Sequence, residues 1–193
     1  MMHTFDSVYV TEKKLRELGF RSVGENVQID RSCTIIGKEY ISIGSNVRID
    51  GYSTIIASSV GVQIGSYVHI GSHCTLAGGA GITMRDFCGL SQGVRIFSKS
   101  DDYSGNHLTN PTVPAHLTNV KSGMVTLGRH VIIGSGAVIL PSVNIGDGAA
   151  VGALSLVTKN LTGWTIYTGV PAKRIRNRSQ KLLTLESELL AKK

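Results

Sequence analysis

Between Phe97 and Met124 the chain reads "FSKSDDYSGNHLTNPTVPAHLTNVKSGM", and Asp101, Asp102 and His107 stand within it. A neutral imidazole is a competent general base near pH 7, able to take the proton from a hydroxyl as its oxygen attacks a carbonyl. A carboxylate of pKa about 3.9 is a feeble base toward a hydroxyl, yet it orients an ammonium or an amine N–H well. Neutral nitrogen is already nucleophilic and can shed its proton after attack. Asp101 can therefore orient an amine, and His107 can act as base toward a hydroxyl. Both aspartates also read as ordinary turn residues beside Ser and Gly, and His107 as a solvated loop histidine.

Outside this segment the reactive types are scattered. His69 and His73 flank Ile70, and His116 and His130 give no pattern. Cys33, Cys74 and Cys88 are odd in number and far apart, which argues against a disulfide framework or a zinc site. The formal charge is +7, with basic residues crowded into "GVPAKRIRNRSQKLL". That balance suits a polyanion: a nucleic acid, a membrane surface or a phosphate-bearing cofactor. Zinc-finger spacing, an RNP motif and aromatic-basic interleaving are all missing, which removes support for nucleic acid. No apolar run approaches the roughly 18 residues of a spanning helix, and "MMHTFDSVYVTEKKLRELGF" lacks a signal peptide's layout. A cytoplasmic protein is expected.

The elements that must position these residues follow from a rhythm. In "VTLGRHVIIGSGAVILPSVNIGDGAAVGALSLVTKN", from Val125 to Asn160, aliphatic residues recur every sixth position at Leu127, Ile133, Ile139, Ile145, Val151 and Val157. Earlier marks are Ile29, Ile35, Ile43, Ile49, Ile55, Ile64, Ile70, Leu76, Met84, Leu90 and Ile96. Longer steps come at every third mark, so three hexapeptides make a unit with insertions at one corner. The fourth residue after a mark is small at Cys33, Val47, Ser53, Ser59, Val68, Cys74, Ala80, Cys88, Val94, Val131, Ala137, Val143, Ala149 and Ser155. A three-sided coil of short parallel strands is expected, with these small residues and all three thiols inward. Gly beside a mark is expected to relieve a corner by taking φ > 0. Hairpin signals for a sandwich are weak. The expected layout is an N-terminal segment over 1–22 with a short helix at Thr11–Leu18, a coil over 23–175 with the loop 97–124 protruding, and an amphipathic C-terminal helix over 176–193.

The repeats, the interrupting loop, "VTKN" and the closing "GVPAKRIR" resemble the hexapeptide-repeat acyltransferases. The resemblance implies an all-β, left-handed parallel β-helix, a homotrimer with sites between subunits, and acyl transfer from acetyl-CoA or another acyl-CoA. It points to Ser135, Ala153, Thr158, Lys159, Lys173 and Arg176 for coenzyme A, with the pantetheine arm on the backbone at Ser135 and Ala153 and the basic groups on phosphates. Trp164 is open to stacking on adenine or to packing across the last coil. In the galactoside and xenobiotic acetyltransferases a catalytic His follows the mark before the loop, and here that place holds Asp101. The run "DDYSGN" is similar to a narrower branch that N-acylates nucleotide-linked amino sugars, as in anthrose biosynthesis, with Ser91 matching a serine of that branch. On this likeness Ser91, Asp102 and Tyr103 are substrate contacts and Asp101 the catalytic candidate.

The expected function is an acyl-CoA-dependent, acetyl-preferring transfer to the amine of a nucleotide-linked amino sugar for surface polysaccharide synthesis. The alternative is a sugar O-acetyltransferase with His107 as base. A γ-carbonic-anhydrase-like metal protein would need three His around zinc, and no motif supports it; a non-catalytic scaffold is the remaining rival.

Overall fold

The computed structural model describes residues 8–191. The chain winds into a three-sided parallel β-helix, each coil laying one short strand on each of three faces. The first face stacks Ser22–Val23, Ile41–Ile43, Val62–Ile64, Ile82–Met84, Val125–Leu127 and Asn144–Ile145. The second stacks Val27–Ile29, Val47–Ile49, His69–Ile70, Gly89–Leu90, Ile132–Ile133, Ala150–Val151 and Thr165–Thr168, and is finished by Lys173–Asn177, which runs antiparallel. The third stacks Thr34–Ile36, Thr54–Ala57, Thr75–Gly78, Arg95–Phe97, Val138–Ile139 and Leu156–Val157.

Register follows the aliphatic marks. Ile70 pairs with Leu90, Leu90 with Ile133 and Ile133 with Val151, and the other two faces repeat the scheme. Each mark thus meets its counterpart one coil away in a continuous interior column, and most are fully buried. Full burial of such a side chain contributes about 1.5–3 kcal/mol. Packing, not strand length, therefore holds strands of two to four residues together.

The small-residue column is inward at two corners, and at the third only where nothing is inserted, as at Val143. Ser59 is exposed and Ala80 half-buried. At that corner extra residues bulge outward, and the inward place passes to the residue two before the next mark: Ile41, Val62, Ile82 and Val125, each wholly buried. Cys74 and Cys88 are buried, whereas Cys33 is only half-buried. Their Sγ–H groups donate to carbonyls of Ser91 and Gly128, and that of Cys33 to Asp50. Burial pushes the Cys74 thiol up to about 11 and that of Cys88 up to about 12, so neither ionises near neutrality.

The glycines beside the marks have a different cause from the one expected. Gly134 does not adopt positive φ; a Cβ there would sit 2.5 Å from the backbone N of Ala153 in the next coil. Glycine permits the coils to approach. The left-handed residue falls two places later and is seldom Gly: Asn26, Asn46, Tyr52, Tyr67, His73, Phe87, His130, Leu154 and Trp164 all take φ between 49° and 60° or so. Side-chain contacts along the column, a hydrogen bond donated by Asn26 to Asn46 Oδ1 at 2.9 Å and the ring stacking described below, work against the roughly 1–2 kcal/mol that this conformation costs an L-residue.

Thr11 caps the N-terminal helix Glu12–Glu17 by accepting from the Lys14 N–H, and Leu15 seals that end of the core. The C-terminal helix is Leu182–Ala191. Its expected start at residue 176 is corrected: Arg176 lies in the closing strand, because 173–177 bonds to the last coil before the chain can turn helical. The loop leaves after Arg95–Phe97 and returns at Val125, at the same corner as the small insertions, its root a two-stranded ribbon of Lys99–Ser100 with Lys121–Ser122.

Candidate active site

The loop root overhangs the third face and forms an open groove of about 490 Å³, lined by Phe97, Lys99, Ser100, Asp101, Tyr103, Val120, Val138 and Leu140. Strand alternation supplies the floor: Phe97 and Val138 point outward because Ile96 and Ile139 point in. Asp101 enters this mainly apolar groove half-buried, and Tyr103 stands 91% exposed at its lip.

Asp102 is buried and does not line the groove. Its carboxylate accepts from the Ser104 N–H at 2.9 Å, the Ser104 hydroxyl at 2.9 Å and His107 Nδ1 at 2.8 Å. The Ser104 N–H first, then His107 and the Ser104 hydroxyl, hold its pKa down at about 2. An ionised carboxylate can only accept, so His107 Nδ1 carries the proton and Nε2 of the neutral ring is left with its lone pair. The structure thus joins Asp102 to His107 and separates both from the groove residue Asp101.

Ser91 lies across the third face from Asp101, at the corner where the second face turns into the third. Its N–H donates to Ile133 O at 2.9 Å. Ser135 and Ala153 occupy the same edge in the next coils, with Leu154 N–H donating to Ser135 O at 2.8 Å and the Ser135 hydroxyl 3.5 Å from Gln92 Oε1. Lys173 reaches this edge at the start of the closing strand, paired with Thr168. Arg176 is farther along that strand opposite Ile166, and Thr158 and Lys159 are exposed after Val157, where the third face turns toward the first. Within one chain the six coenzyme candidates therefore divide between corners: Ser135, Ala153 and Lys173 share an edge, and Lys159 does not.

Trp164 packs across the last coil over Gly148, tilted against His130 at 6.3 Å. Sequence reading gave His130 no role. It is buried, with Nε2 2.7 Å from Glu186 of the C-terminal helix, which also meets Arg129. Arg178 donates to the carbonyls of His130 and Gly148 at 2.7 and 3.0 Å. These contacts clasp the helix to the coil. His69 is tied to Asp50 at 2.8 Å and His73 stacks on Tyr52. Among the described residues no three His, Cys, Asp or Glu gather as a metal-ligand set.

Comparison with known proteins places the chain in a family. Residues 124–159 match the bacterial transferase hexapeptide (six repeats) family. A dTDP-4-amino-4,6-dideoxy-D-glucose acyltransferase of Escherichia coli is 45% identical over 179 residues, 93% of either chain. AntD, an N-acyltransferase from Bacillus cereus solved with dTDP and 3-hydroxybutyryl-CoA, superposes with a TM-score of 0.93 at 42% identity, covering 97% of this chain and 98% of that one. A galactoside acetyltransferase bound to coenzyme A shares the fold at a TM-score of 0.57 and 24% identity, over 88% of this chain and 70% of that one. With its six-residue repeat, its stacked coils and a near-full-length likeness to acyltransferases, the chain belongs to the hexapeptide-repeat transferases, enzymes that move acyl groups from coenzyme A.

Proposed function

We propose that the protein transfers an acyl group from a CoA thioester to the amine of a dTDP-linked 4-amino-4,6-dideoxy sugar. The full-length likeness to the Escherichia coli enzyme carries this reading. A second observation supports it: the aspartate and the serine replaced in solved variants of the Bacillus cereus enzyme stand ten residues apart, as Ser91 and Asp101 do here.

In this reading the neutral sugar amine attacks the thioester carbonyl, Asp101 accepts one of its N–H bonds to aim the lone pair, and Ser91 and Tyr103 contact the sugar. As the C–S bond breaks, the departing thiolate takes the nitrogen's proton, so the thiol leaves neutral and no protein base is consumed. Asp102 acts as a positioning residue, fixing the turn that presents Asp101. Ser135 and Ala153 offer backbone groups to the pantetheine arm, Thr158 a hydroxyl, and Lys159, Lys173 and Arg176 charge to the phosphates.

Assembly completes the site. Ser91 and Asp101 lie on opposite edges of the third face, and the strand between them spans roughly 10–13 Å at about 3.3 Å per residue. One sugar nitrogen cannot touch both within a single chain, whereas two copies packed edge to edge supply one residue each. A homotrimer in the cytoplasm, acting on nucleotide sugars bound for surface polysaccharide such as O-antigen, fits this arrangement. The O-acetyl alternative has one observation in its favour, the Asp102–His107 pair with Nε2 free. CoA-thiol release with dTDP-4-amino-4,6-dideoxyglucose against its 4-hydroxy counterpart, using acetyl-CoA and 3-hydroxybutyryl-CoA, tests both. Turnover confined to the hydroxy sugar would refute the amine reading.

A further inference from the structure

We infer that the His73 ring and the bare backbone of Gly93 form a stacking subsite for a nucleobase. The observation is a comparison of two corners of the same molecule. Where the first face turns into the second, the left-handed residues of successive coils stack ring on ring: Tyr67 on Phe87 at 4.8 Å and 3°, then Phe87 on His130 at 4.8 Å and 14°. The next residue in that column is Gly148, and its gap is filled by the indole of Trp164, so closely that a Cβ on Gly148 would lie 2.4 Å from Cε3. In this column the level left bare by a glycine is occupied by the ring of Trp164, the next left-handed residue.

Where the second face turns into the third, the same left-handed column reads Tyr52, His73, Gly93, Gly136, Leu154, with φ from 57° to 70°. Tyr52 and His73 stack at 5.1 Å and 9°. Gly136 is covered, since Leu154 Cδ2 comes within 2.8 Å of where its Cβ would stand. Gly93 is not: the nearest atoms to a Cβ there are Gly136 backbone atoms at 3.9 Å. Adjacent strands lie about 4.8 Å apart, so the levels of His73 and Gly136 leave a gap of about 10 Å. One aromatic plane fits there against the outer face of His73, at the 4.5–7 Å centroid spacing that stacked rings prefer. The exposed Gln92 carboxamide borders the slot and can read a base edge, and Ser91 is two residues away.

This inference rests on the proposed function, which brings two bases to the protein: the thymine of the acceptor and the adenine of coenzyme A. Three variants isolate the slot. His73→Asn removes the ring while keeping a residue that this chain itself places at positive φ, as at Asn26 and Asn46; His73→Phe keeps a ring, as Phe87 does. Gly93→Asn fills the slot. Calorimetric titration of each with dTDP alone and with CoA alone reads base binding without turnover. Base stacking on an aromatic side chain is worth about 1–3 kcal/mol, a factor of roughly five to a hundred and fifty. Both Asn variants are expected to weaken one nucleotide by about tenfold or more, with His73→Phe near wild type. Loss of dTDP alone assigns thymine, and loss of CoA alone assigns adenine. Unchanged affinity for both, or a His73→Phe that binds no better than His73→Asn, overturns the inference. A wild-type protein that binds dTDP and CoA yet acylates no amino sugar refutes the proposed function and leaves these affinities to decide the slot.

Discussion

His107→Ala separates nitrogen from oxygen chemistry. In the structure this ring contributes one of three donors to Asp102, and its side chain remains 42% exposed to solvent. If the acceptor is an amine, the variant loses only that hydrogen bond. Ser104 still holds Asp102 through two others, and the turn presenting Asp101 survives. Solvent screening at this half-exposed ring keeps the hydrogen bond near the low end of the roughly 1.5–3 kcal/mol typical of charged partners, about tenfold, so kcat/KM should fall by about that or less. If the acceptor is a hydroxyl, Nε2 is the base, and its removal should cost about 10²–10⁴-fold in kcat. Asp101→Asn is the companion: an amide oxygen still accepts from the sugar N–H, so turnover should drop modestly, and Asp101→Ala should drop it further. Stopped assays of CoA-thiol release at saturating acyl-CoA distinguish the cases. A hundredfold loss in His107→Ala with an amino-sugar acceptor would refute the reasoning.

Three further outcomes are expected. Asp102 has its pKa lowered from 3.8 to about 2, so the order it gives the loop is complete above pH 3.8 and is lost as pH falls toward 2; the protection of amides 103–107, taken as their exchange relative to an unstructured peptide at the same pH, should fall in that window. Gly134→Ala should destabilise the fold by about 1–3 kcal/mol, since its Cβ meets backbone of the next coil, whereas Gly89→Ala, with nothing within 4 Å, should stay within about 1 kcal/mol of wild type in denaturant titrations. Lys173→Ala should raise KM for acyl-CoA and flatten its salt dependence with little change in kcat, because a remote phosphate contact holds ground and transition states alike; an unchanged KM would remove Lys173 from the coenzyme site.

The coil was legible because every turn repeats the same contact: marks such as Ile70, Leu90 and Ile133 share a residue type and a spacing, and register follows from both. The third corner was misread at Ser59 and Ala80 because a bulge shifts the count, and only burial reveals that Val62 and Ile82 take over. The left-handed columns are not legible in the sequence, since they mix Asn, aromatic rings, Leu and Gly and what all members share is a backbone conformation. The clasp between His130 and Glu186 joins positions 56 residues apart, beyond any local pattern. Asp101 and Ser91 came from motif likeness; that they stand on opposite edges of one face needed coordinates.

The reversed strand Lys173–Asn177 settles how the solenoid ends. A parallel coil presents to anything beyond it the same hydrogen-bonding edge that it presented to its last turn, so an uncovered end is a template for fibre growth by a second molecule. Here the terminal strand of the second face runs backward, and all five of its residues are exposed, with Lys173, Arg174 and Arg176 among them. A copy arriving end-on meets the wrong polarity and like charge together. On this face, therefore, the chain itself supplies the terminal edge, and that edge differs in direction and charge from those stacked beneath it.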